Sequence, residues 1–108
     1  MRFYLKYYGD DWLFIKKAWT KIDGQAADLP TEENWNRDNA SGDVWETSDK
    51  WLSDGNALLI KKLANSNNPT IRFEGDRYYK DFKPSRKRLD AMLEVIKAYE
   101  AAKGIELK

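Results

Sequence analysis

IRFEGDRYYKDFKPSRKRLDAMLEVIKAYEAAK, residues 71–103, carries the two strongest local signals in the chain, one directly after the other. Ile71-Arg72-Phe73-Glu74 alternates apolar and polar residues. Gly75-Asp76 is a two-residue turn signal, and Arg77 to Phe82 supplies a returning strand, so this half predicts a tight hairpin. Pro84-Ser85 then opens a helix that Gly104 closes, since serine caps helix starts and glycine accommodates the left-handed turn at helix ends. Leu89, Met92, Leu93, Ile96 and Tyr99 recur at spacings of three and four and share one face, while Arg86, Asp90, Glu94 and Lys97 point the other way.

Upstream, Arg2 to Tyr8 alternates cleanly, with Phe3, Leu5 and Tyr7 on one face and Tyr4, Lys6 and Tyr8 on the other. Gly9-Asp10 reads as a turn, followed by a long second strand from Asp11 to Ile22 whose period is disturbed at Lys16-Lys17. Asp23-Gly24 ends that strand. Residues 25–42 are polar and poor in β-branched residues, and read as a long loop with a brief strand over Ala26 to Leu29. Val44 to Thr47 is a short strand. Ser53 or Asp54 caps a helix over about Gly55 to Asn65, with Leu59, Ile60 and Leu63 as its buried stripe. The expectation is a single α+β domain over residues 1–108. A mostly antiparallel sheet of about five strands, made of two hairpins and a short strand, packs against two helices, the longer one C-terminal.

Composition narrows the function classes. The 108 residues include 42% hydrophobic and 34% charged residues, and no apolar run approaches the roughly 20 residues that span a bilayer. The chain begins with strand-like sequence rather than a charged start and an apolar stretch. The protein is therefore expected in the cytoplasm if the chain is complete, and secreted or in the envelope if an export signal has been removed. With no cysteine and no histidine, disulfides, thiol nucleophiles, histidine-assisted serine chemistry and histidine metal sites are excluded. No phosphate-binding glycine loop is present, and no cofactor is implied. The carboxylates Asp10, Asp11, Glu32, Glu33, Asp43 and Glu46 remain as an acid and base pair in principle, but nothing in the spacing brings two together. Asn36 to Asp43 offers oxygen ligands without the alternating spacing of a calcium loop, and reads as a turn-rich loop. The expectation is a protein without catalytic activity.

Charge and rings point instead to binding. Net charge is only +1, yet residues 23–54 hold nine acids against Arg37 and Lys50, and residues 77–88 hold six bases against Asp81 alone. These two regions either pair with each other or leave a basic rim for a partner. Lys83-Pro84-Ser85-Arg86-Lys87-Arg88 sets bases at a helix N-terminus, where the macrodipole favours acids, and a broken local rule marks a candidate site. Five tryptophans are many for this length; Trp35 stands alone among polar residues, either as a lid over the core or as a contact for a partner. The candidate binding residues are Arg77, Tyr79, Lys80, Lys83, Arg86, Lys87 and Trp35. The leading expectation is a small interaction module that docks to another protein. Alternatives are single-stranded nucleic acid bound through the basic, aromatic 77–88 stretch, and a carbohydrate stacked on Trp35 and Trp51.

Overall fold

Strict alternation at the start of the chain becomes strand β1 (Arg2–Gly9), with Phe3, Leu5 and Tyr7 buried and Tyr4 and Tyr8 exposed. The computed structural model describes residues 1–107. The remaining elements are β2 (Lys17–Ile22), β3 (Gln25–Asp28), β4 (Asn36–Ala40), β5 (Asp43–Trp51), α1 (Asp54–Asn65), β6 (Ile71–Glu74), β7 (Tyr79–Phe82) and α2 (Arg86–Lys103). The α+β class and the longer C-terminal helix are as expected. Seven strands form, however, in two antiparallel sheets ordered β1-β5-β4 and β3-β2-β6-β7, rather than about five in one.

The first expected hairpin does not form, because β1 pairs with β5 in the register Arg2↔Trp51 to Gly9↔Val44. The segment between β1 and β2 crosses from one sheet to the other, and the strand expected from Asp11 begins only at Lys17. Glu46 explains the crossing. Its fully buried carboxylate accepts the backbone N–H groups of Leu13 (2.8 Å), Phe14 (3.1 Å) and Ile15 (2.8 Å), and the Nε–H of Arg37 (3.1 Å). Three successive amides can converge on one anion only in a bent backbone, and Phe14 accordingly sits at φ 54°. The same segment runs against Gly75, where an added Cβ would overlap the Leu13 carbonyl. That close approach requires glycine there.

The loop expected over 25–42 shrinks to residues 29–35. Positive φ at Asp23 and Gly24 (51° and 79°) and at Ser41 and Gly42 (54° and 85°) closes two-residue hairpins β2–β3 and β4–β5. Residues 36–43 are thus a hairpin rather than a turn-rich loop. In the 71–82 hairpin the loop spans four residues, with the Gly75 N–H donating to the Tyr78 carbonyl at 2.9 Å, so the return strand starts at Tyr79 instead of Arg77.

Both helices start on serine: Ser53 accepts from the Asn56 N–H, and Ser85 from the Arg88 N–H, while Gly104 ends α2 at φ 65°. They lie antiparallel, since Asp54 at the start of α1 meets Tyr99 and Lys103 near the end of α2, and Arg86 reaches the carbonyls of Ala64 and Ser66 at the end of α1. Leu89 and Ile96 are buried, with Met92 and Tyr99 partly so. One core joins these helices to the inner residues of both sheets, among them Phe3, Leu5, Ile15, Trp35, Ile60, Leu63, Ile71 and Phe73.

Candidate docking groove

Sheet order leaves β1 with a neighbour on one side only, and the same is true of β7. The residues Tyr4 to Tyr8 of β1 and Lys80 to Phe82 of β7 line one open groove of about 630 Å³, closed along its length by Pro84, Arg88 and Met92. A second cavity of about 350 Å³ continues it past Tyr4, Arg88 and Met92 toward Met1, Leu52, Ala91 and Val95. An unpaired edge strand therefore faces the first half of α2 across a channel with an apolar floor and a cationic rim.

The rim is cationic because internal pairing stops short of it. Among the described residues, Lys6, Arg77, Lys80, Lys83, Lys87 and Arg88 make no ion pair, and no carboxylate of residues 23–54 pairs with a base of residues 77–88. Asp81, the one acid within that stretch, turns to Arg72 in a two-bond contact of 2.7 and 3.0 Å. The hydrogen bond from Arg72 holds the Asp81 carboxyl below its usual range, so it stays ionised and occupied. Lys80 is paired in register with buried Phe73, so it projects toward the inner side of its sheet and into the groove. A charge pointing inward from an edge strand also discourages unwanted sheet growth at β7.

The expected binding residues separate in space. Lys80 lines the groove. Tyr79, its neighbour on the strand, projects from the opposite face, where the Arg72 guanidinium lies 3.9 Å from its ring centroid. Arg77 sits in the exposed hairpin loop, and Lys83 and Lys87 are exposed beyond it. Arg86 is a structural clamp rather than a free base: it bonds Asp90 at 2.9 Å and the Ala64 and Ser66 carbonyls. Those carbonyls form the negative end of α1, so Arg86 answers the dipole of the neighbouring helix while sitting at the unfavourable end of its own. Trp35 is a correction. It is only 3% exposed and packs edge-on to Phe73 at 6.0 Å, so it belongs to the core as a lid and offers no surface to a partner. Trp51 is 66% exposed beneath the Arg2 guanidinium, so Trp35 and Trp51 do not form a shared sugar platform.

Sequence reasoning missed Lys6 and Arg88 as groove residues. The alternation of β1 already placed Lys6 on the outward side with Tyr4 and Tyr8; what it lacked was knowledge that β1 has a free edge. The Lys6 ammonium lies 5.9 Å from the Tyr8 ring and 5.5 Å from the Trp45 ring, and these two rings stack at 6.3 Å. The Tyr8 hydroxyl donates to Asp43 at 2.6 Å, which pushes its pKa up and keeps it a neutral ring at physiological pH. Glu46, the one fully buried acid among the described residues, has both oxygens engaged by backbone amides and Arg37. Among the described residues, no three acidic side chains gather as a metal site requires, and no helix is long and apolar enough to cross a membrane. Comparison of the chain with protein-family models, curated proteins and solved structures gives no match in any of the three.

Proposed function

We propose that this protein is a non-catalytic docking module that holds an acidic segment of another protein in the groove between β1, β7 and α2. The observation that carries the reading is the open channel rimmed by Lys6, Lys80 and Arg88, none of which pairs with a carboxylate among the described residues. Unpaired cations beside an apolar floor of Phe82 and Met92 suit a ligand with carboxylates and aliphatic side chains, and such complementarity sets both encounter rate and partner choice.

Selection of random displayed peptides on the immobilised protein tests this. Enriched peptides are expected to be acidic, to weaken as salt rises, and to lose about tenfold or more in affinity against the doubly reversed Lys80→Glu, Arg88→Glu protein. Both residues are exposed, and circular dichroism verifies that the variant folds. The rings on the outer face of the first sheet favour a competing ligand, single-stranded nucleic acid, because Tyr8 and Trp45 offer stacking surfaces beside Lys6. An oligothymidylate that bound more tightly than every selected peptide would replace the protein partner with a nucleic acid.

A further inference from the structure

The hydrogen-bond parity of β1 shows which of its backbone groups face the groove. Leu52 N–H donates to the Met1 carbonyl at 2.9 Å, one step beyond the pair Arg2↔Trp51. Directly opposed residues of an antiparallel ladder alternate between pairs that exchange hydrogen bonds and pairs that do not. Met1–Leu52 is a bonded pair, so Phe3, Leu5 and Tyr7 bond to β5. The N–H and C=O groups of Arg2, Tyr4, Lys6 and Tyr8 therefore point away from β5, into the channel. β1 is eight residues long and free of proline and bulges, which leaves a regular row of donors and acceptors without a strand to meet them.

Resting on the docking reading above, we infer that the partner segment binds as an added strand along the free edge of β1. It converts the sheet β1-β5-β4 from three strands to four. Side chains of an added strand project alternately to the two sheet faces. Those on the outer side meet Lys6, which makes no ion pair among the described residues, whereas Arg2 is held by Asp49 at 3.5 Å; acids suit the positions beside Lys6. Those on the inner side meet Met92, Phe82 and the cavity by Leu52 and Val95, with Lys80 and Arg88 at its rim, so aliphatic residues flanked by acids suit them. The occupant is thus an extended segment in which acidic and aliphatic residues alternate. A second copy of this chain is the competing occupant, and the concentration dependence below separates it from a partner segment. The other edges are less suited: β3 has four mostly exposed residues, β4 is polar apart from Ala40 and exposed, and β7 has four residues with an inward lysine. Recognition of this kind takes affinity from main-chain bonds and specificity from alternate side chains.

The probe is a fluorescent peptide of about eight residues alternating Glu and Val, the length of β1 at ~3.3 Å per residue. Bound peptide is expected to slow amide hydrogen exchange at Tyr4, Lys6 and Tyr8 by about tenfold or more, and to leave Phe3, Leu5 and Tyr7 unchanged. N-methylation of alternate peptide amides is expected to abolish binding in one parity and spare it in the other. Binding with unaltered exchange at Tyr4, Lys6 and Tyr8, or equal tolerance of both methylation parities, overturns strand addition while leaving the groove reading standing. Failure of the probe together with displayed peptides that are not acidic overturns both. Slowed exchange that appears at high protein concentration without peptide would assign the edge to self-association, and also ends the proposal.

Discussion

Glu46 is a charge held where charge is costly, with no exposed surface and four donors around it. Isolated burial of a carboxylate is prohibitive, but three amides and one guanidinium replace the lost water. The exchange also orders the chain, because the amides of Leu13 to Ile15 have no sheet partner of their own where they pass between sheets. Glu46→Ala would leave those amides and Arg37 without their acceptor, and a loss of about 3–5 kcal/mol in urea-derived stability is expected. Glu46→Gln keeps one acceptor oxygen but turns an NH₂ toward other donors, so a smaller loss of about 1–3 kcal/mol is expected. Equal stability of the alanine variant and the native protein would show that these bonds do not hold the crossing segment. Arg86 has the opposite history: a surface base by sequence, it is consumed by the end of a neighbouring helix.

The helix pair gains from opposed dipoles as well as from shared core. At one end, Asp54 in the first turn of α1 accepts from Tyr99 and Lys103; at the other, Arg86 meets the last carbonyls of α1. Lys61 joins the tail to this pair by donating to Glu100 and to the Leu107 carbonyl. Hydrogen bonds from Tyr99 and Lys103 lower the Asp54 pKa, and those from Lys61 and the Leu107 N–H lower that of Glu100. Groups whose folded pKa lies below the unfolded value add stability in full above the ordinary carboxylate range near 4, and lose it as pH falls through the folded values. Thermal unfolding temperature is therefore expected to drop between about pH 5 and about pH 2, less steeply in Asp54→Asn. Lys103, whose pKa is raised by the same contacts, adds stability below its ordinary value near 10.4 and surrenders it above. A pH profile identical in native protein and Asp54→Asn would remove Asp54 from this account.

At the scale of the whole molecule, two sheets and two helices share one set of buried side chains, and the chain passes between sheets three times, at residues 10–16, at 29–35 and, through α1, at 52–70. Neither sheet has an inner face complete without the other. Urea unfolding is expected to be a single transition, with tryptophan fluorescence and far-ultraviolet circular dichroism superimposed; separated midpoints would mean that the sheets fold as independent units. The exposed edge of β1 is a property of this scale alone. From the residues in order, the stripe of α2, the caps Ser85 and Gly104, the start of α1 at Ser53 or Asp54 and the alternation of β1 were all legible, because each depends on neighbours within a turn or two. Strand β4 was not: Asn36-Arg37-Asp38-Asn39-Ala40 is exposed throughout and carries no apolar period, and it is a strand only because β5 supplies its ladder. Trp35 was ambiguous for a related reason, since its burial comes from Phe73, far along the chain. Local spacing thus determined which segments are helical, which faces are apolar and where the bases cluster. Tertiary structure decided that β1 pairs with β5 and not with its successor, because strand pairing is a choice among distant partners made by burying the whole core, and that choice left one edge open beside uncompensated cations.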